Sequence, residues 1–130
     1  MKGSELAYTV ETEKSVEDAV HAVEEATAAR GFRVLGVHDV GAILKEKGFP
    51  REPMVIVEIC NAKFASAVLE ADVNIGTLLP CKVNVYRDGG KTYLSALRPQ
   101  MLAEFFPVEA VRKTAAEVEK VVTAIVDESR

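Results

Sequence analysis

A chain of 130 residues is one domain's length, enough to bury a core without disulfide or metal staples, and its 48% hydrophobic and 28% charged residues exclude disordered and membrane-like classes. The formal net charge of −4 disfavours electrostatic binding of nucleic acid, which needs a basic face. The opening "MKGSELAYTVETEKS" has no apolar stretch of signal-peptide length and no bilayer-length apolar run follows, so a cytoplasmic protein binding neither nucleic acid nor membrane is expected, with both cysteines as thiols.

Residues 5–11 alternate, with Leu6, Tyr8 and Val10 on one face, and predict a half-buried strand. Ser15 with Asp18 three residues on has a capping-box pattern and opens a helix striped by Val16, Ala19, Val20, Val23, Ala26 and Thr27, which Gly31 ends. Residues 32–38 predict a second strand, and Asp39 caps a short helix carrying Val40, Ile43 and Leu44 that stops at Gly48. "GFPREP" (48–53) is a loop, and "MVIVEIC" (54–60) is the most strongly β-patterned run in the chain. Asn61 then caps a helix from Ala62 to Ala71 with Phe64, Ala65, Val68 and Leu69 inward.

Pro80 starts a strand that runs to Arg87, "DGG" (88–90) turns the chain, and residues 91–98 return as the last strand. After a connection over 98–107, Pro107 suits the first turn of a long helix. Its seam is Val108, Val111, Ala115, Val118, Val122 and Ile125. The order is β-α-β-α-β-α-β-β-α in a single domain spanning 1–130. The tight final hairpin is antiparallel, so the expectation is an α+β fold with a largely antiparallel sheet and helices mainly on one face. The third strand is apolar on both faces, Val55, Val57 and Ile59 on one and Met54 and Ile56 on the other. A homodimer interface is the economical cover for the second.

Chemistry-bearing residues gather where the third strand meets its helix. Cys60 precedes the cap Asn61, and a helix N-terminus with Lys63 in its first turn favours thiolate, while Glu58 on the same strand face opposes it. By alternation Cys81 shares the core face with Val83 and Val85 while Lys82, Asn84 and Tyr86 point the other way. Cys60 shares the opposite face with Glu58, so no disulfide is expected. The cysteines belong to no CxxC pair and His21 and His38 to no HxxxH pair, so neither a metal nor a cofactor is expected. His21 lies between Glu17 and Glu25 on a solvated helix face, whereas His38 at a strand end is the better functional candidate. No GxSxG elbow, Walker loop or GxGxxG fingerprint occurs.

The segments "EICNAK" (58–63), "LLPCKVNVYRDGG" (78–90), "YLSALRP" (93–99) and "GFRVLGVHDVGAILKEKG" (31–48) together resemble the domain of unknown function 302 family. That family's pattern has a strand ending in Gly- or Cys-Asn-Pro-Lys, then Leu-Pro and an aliphatic strand ending in an aromatic; Ala62 departs from it where proline is usual. The resemblance implies an antiparallel α+β fold of the TATA-box-binding-protein-like class without DNA binding, and it suggests a dimer. It carries no activity, and glycine in relatives at the position of Cys60 argues against an obligatory catalytic thiol.

Two functions follow as expectations. The first is a homodimeric module binding a small ligand or partner near Glu58, Cys60, Asn61, Lys63 and His38. The alternative is a thiol redox or sulfur-handling protein using Cys60, with Cys81 as second thiol.

Overall fold

The computed structural model describes residues 3–130. Gly3–Leu6 form a single helical turn (α1) ahead of strand β1 (Ala7–Thr12), so Leu6 leaves the alternating row in which the sequence pattern put it. Helix α2 (Val16–Ala29) starts where Ser15 Oγ accepts a hydrogen bond from the Asp18 N–H at 3.1 Å. Gly31 at φ +74° then turns the chain into β2 (Arg33–Asp39), a left-handed conformation that a side chain would strain. Asp39 Oδ1 accepts from the Ala42 N–H at 2.9 Å and caps α3 (Val40–Glu46). Strand β3 (Met54–Cys60) leads through Asn61 into α4 (Ala62–Ala71).

A 3-10 segment, Val73–Leu78, follows, opened by the Asp72 carboxylate on the Asn74 N–H. Strands β4 (Cys81–Asp88) and β5 (Lys91–Leu97) are joined by Gly89 and Gly90, both at positive φ as a two-residue hairpin turn requires. A 3-10 turn at Pro99–Met101 and a short α5 (Leu102–Phe105) precede α6 (Glu109–Ser129). Helix α6 begins two residues later than Pro107 predicts, with exposed Val108 at its N-cap and so outside the buried seam.

The five strands form one sheet in the order β1-β5-β4-β3-β2, every neighbouring pair antiparallel. Helices α2 and α6 share one face of it. There Val57 and Ile59 of β3, Val83 and Val85 of β4, and Leu94 and Ala96 of β5 meet Ala19 and Val23 of α2 and Val122 and Ile125 of α6. Each of the larger side chains contributes about 1.5–3 kcal/mol by burial, which makes this one layer the main source of stability. Register is well specified because a one-residue slip would turn every valine to the other face. The edge strand β2 carries a bulge between Val34 and Gly36, which leaves Leu35 exposed. A smaller cluster, Val68, Ile75, Leu102 and Val111, holds α4 and the two short 3-10 and helical segments against α6.

Polar ties fix the end of α6. Tyr8 Oη donates to Asp127 Oδ1 at 2.6 Å, Lys14 Nζ donates to the Ser129 carbonyl at 3.1 Å, and Arg30 pairs with Glu128. Lys14 thereby supplies a cation at the helix C-terminus, where the macrodipole favours one. No helix among the described residues is long and apolar enough to cross a membrane.

One group in the core is out of balance: the fully buried Thr27 hydroxyl has no hydrogen-bond partner among the described residues. Thr27→Val keeps the side-chain shape and removes that group. It is expected to raise stability by about 1 kcal/mol in urea unfolding.

Candidate functional site

Because the valine rows face the helices, alternation sends the intervening residues to the opposite face of the sheet. Cross-strand register arranges them in rows. One row runs Thr9, Ser95, Asn84, Ile56, His38 from β1 to β2. Beside it Glu58 lies between Lys82 on β4 and Gly36 on β2, with Ala7 opposite Leu97 further along. A third row holds Glu11, Tyr93, Tyr86 and Met54, in which the two tyrosine rings stack at 5.5 Å.

The sheet therefore has a polar belt on its open face. His38 Nε2 lies 2.7 Å from Glu58 Oε1. That contact depends on Gly36, since a Cβ there would stand 2.9 Å from the Glu58 oxygen and 3.1 Å from the His38 nitrogen. Glycine at this position gives the pair room to meet over the backbone. Lys82 Nζ donates to the Pro80 carbonyl at 3.2 Å, which holds the ammonium at the start of β4.

Next to this belt is a hollow of about 260 Å³, lined on the open face by Ile56, Lys82, Asn84, Ser95 and Leu97 and closed at the strand ends by Pro80. Asn84 is one of its lining residues, and its Oδ1 is buried without a hydrogen-bond partner among the described residues. A buried amide oxygen left unpaired costs about 1–3 kcal/mol. Among the described residues it is the one buried side-chain oxygen on the open face without a hydrogen-bond partner.

The candidate residues at the end of β3 go elsewhere. Cys60, Asn61 and Cys81 line a second, small cavity of about 40 Å³ among Phe32, Phe64 and Leu102, and Cys81 and Leu102 also line the larger hollow. Cys81 packs on the main core, as alternation predicts. Cys60, expected on the opposite face of the sheet from Cys81, lines this cavity beside it where β3 turns into α4. Both remain free and half-buried. Burial, with Cys60 as a secondary influence and Lys82 opposing, pushes the Cys81 thiol from an ordinary 9.0 up to about 11.

Asn61 has a structural task. Its Oδ1 accepts from the Phe64 N–H at 3.2 Å, capping α4, and its Nδ2 donates to the Gly31 carbonyl at 3.3 Å. One side chain thus ties the start of α4 to the end of α2. Lys63 is exposed in the first turn of α4 and lines neither hollow. His21 is exposed and 3.7 Å from Glu24. Of the five candidate binding residues, the structure joins His38 to Glu58 and Cys60 to Asn61, in two places. Among the described residues no three His, Cys, Asp or Glu side chains are grouped to hold a metal ion.

Asn84, Ser95, Lys82 and Gly36 escaped selection as site residues. Alternation alone puts Lys82 and Asn84 off the core face, but only the register of β4 with β3 and β5 shows that they join Glu58, Ile56 and Ser95.

Asn61→Ala is expected to lower stability by about 1 kcal/mol in urea unfolding, and Asn61→Asp, which keeps the cap acceptor, to recover part of that loss. With Cys60 replaced by serine, burial remains the cause of the shift, and Cys81 is expected to react with iodoacetamide near pH 8 more slowly than an ordinary thiol at 9.0, by up to about a hundredfold, the ratio of thiolate fractions. The folded thiol keeps its proton where an unfolded one loses it. Its contribution to stability is therefore lost as pH rises from 9.0 through about 11, a fall that Cys81→Ala removes.

The chain matches the family model described as "Domain of unknown function DUF302" over residues 8–129. It is similar to a protein from Bacillus stearothermophilus whose crystal structure is that of an uncharacterized conserved DUF302 protein. The two share 35% identity and a TM-score of 0.90, over 96% of this chain and 98% of that one. No curated protein matches the chain. The sheet order, the helix layer and the match over nearly the whole length lead to one conclusion: this chain belongs to the DUF302 family.

Proposed function

We propose that the chain is a cytoplasmic homodimeric module that holds a small molecule on the open face of its sheet. The observation that carries this reading is the hollow of about 260 Å³, whose largely apolar lining also includes Lys82, Asn84 and Ser95. Binding pockets combine apolar walls with a few converging polar groups, and the hollow has that composition. The His38–Glu58 pair borders it through Ile56 and Lys82 and supplies a carboxylate beside the site. A second copy is the proposed cover for the half-buried Met54, Tyr86 and Tyr93 at the other end of the face.

The thiol alternative rests on Cys60 and Cys81 lining one cavity. It predicts that Cys60→Ser slows reaction with a thiol-specific label. Equal rates in wild type and variant would end it.

Light scattering on the full chain is expected to give a dimer mass, and a thermal-shift screen of small metabolites is expected to find a stabilising compound. A ligand at a hundred times its Kd adds about 2.7 kcal/mol to stability. Asn84→Leu, which removes the unpaired oxygen and fills the hollow, is expected to abolish that shift. A shift that persists undiminished in a folded Asn84→Leu protein would place the ligand elsewhere.

A further inference from the structure

We infer that the hollow takes an aliphatic monocarboxylate, with its carboxylate on the Lys82 ammonium and its alkyl chain along Leu78, Leu79, Leu97 and Pro99. This rests on the ligand-binding reading above and names the class of ligand.

The lining selects by what it holds and by what it lacks. Apart from Lys82, Asn84 and Ser95 it is apolar. Leu6 and Leu78 are still 37% and 39% exposed there, which leaves apolar surface for a ligand to cover. No Asp or Glu is among the lining residues, so the ammonium of an amine or an amino acid would enter without a counter-charge. A sugar would exchange its water for a wall that offers few hydrogen bonds.

Lys82 supplies the one charge. Its register partner across the ladder is Glu58, yet the two form no ion pair: Glu58 Oε1 lies against His38 Nε2, and Lys82 Nζ donates to the Pro80 carbonyl at 3.2 Å. Among the described residues no carboxylate pairs with Lys82. Pro80 is itself a lining residue, so this bond holds the ammonium at the hollow with two N–H groups still to offer. A single ammonium matches the single charge of a carboxylate, whereas a phosphate carries nearly two and has three strong acceptor oxygens to satisfy.

Volume limits the tail. At about 260 Å³ the hollow falls under the roughly 300 Å³ at which pockets for drug-sized ligands begin, which suits a short-chain acid. Leu79 and Leu102 line both the hollow and the smaller cavity, and they form the wall at which the chain ends.

Isothermal titration of the full chain with hexanoate, butanoate, 1-hexanol and hexylamine separates head group from tail. Hexanoate is expected to bind about tenfold or more tightly than the alcohol or the amine, the loss of one charged hydrogen bond. It is expected to bind about fifteenfold more tightly than butanoate, at about fourfold for each buried methylene. Lys82→Gln, which alters an exposed side chain and leaves the core untouched, is expected to erase the preference over the alcohol, and Lys82→Arg to keep it. An alcohol or amine that binds as tightly as hexanoate, or a preference undiminished in Lys82→Gln, overturns the carboxylate. Butanoate as tight as hexanoate overturns the aliphatic tail. A stabilising metabolite of another class that loses its effect in Asn84→Leu also overturns the assignment, while preserving the ligand-binding reading. Failure of every probe and every metabolite to bind overturns both.

Discussion

The packing of one sheet face on α2 and α6 is the constraint from which the rest of the molecule follows. Val57, Ile59, Val83, Val85 and Leu94 are fully buried against these two helices, and no shift of register can preserve that layer. Period-two geometry then leaves no freedom for the residues between them. Ile56, Glu58, Lys82, Asn84 and Ser95 are delivered to the opposite face as a by-product of making the core. Core formation and the placing of the candidate site are a single event. The polar belt is as rigid as the sheet that carries it.

That rigidity gives Asn84 its significance. An amide on a loop would turn to water, whereas one in the central strand of the sheet stays where its neighbours hold it. Ile56 and Ser95 flank it in register, and its oxygen ends buried without a donor. Gly36 is a second departure from simple strand chemistry on the same face. Its missing Cβ leaves the space in which His38 and Glu58 meet. These two departures lie on one face, on β4 and β2 with β3 between them.

Much of this architecture was legible in the residues. Ser15, Asp39 and Asn61 announce their helices because capping is local, a matter of a side-chain oxygen three residues before a backbone donor. The Gly89–Gly90 turn and the alternating valines of β3 and β4 are equally local, and the β-α-β-α-β-α-β-β-α order follows from them. The candidate site was only half legible. His38 and Glu58 were singled out separately, but their contact depends on how β2 and β3 align around the bulge at Leu35, which no local pattern shows. Alternation put Cys60 and Cys81 on opposite faces, and it does not show that both residues border one cavity at the end of β3. Asn61, read as a cap, proved also to brace α2 through the Gly31 carbonyl.

The central claim is that the open sheet face, and not the thiol cavity behind it, is where this protein meets a ligand. Titrating isotopically labelled full chain with a stabilising metabolite and following its backbone amide signals tests this most directly. The account predicts that the largest shifts fall on Ile56, Lys82, Asn84 and Ser95. Shifts centred instead on Phe32, Cys60, Phe64 and Val68 would contradict it.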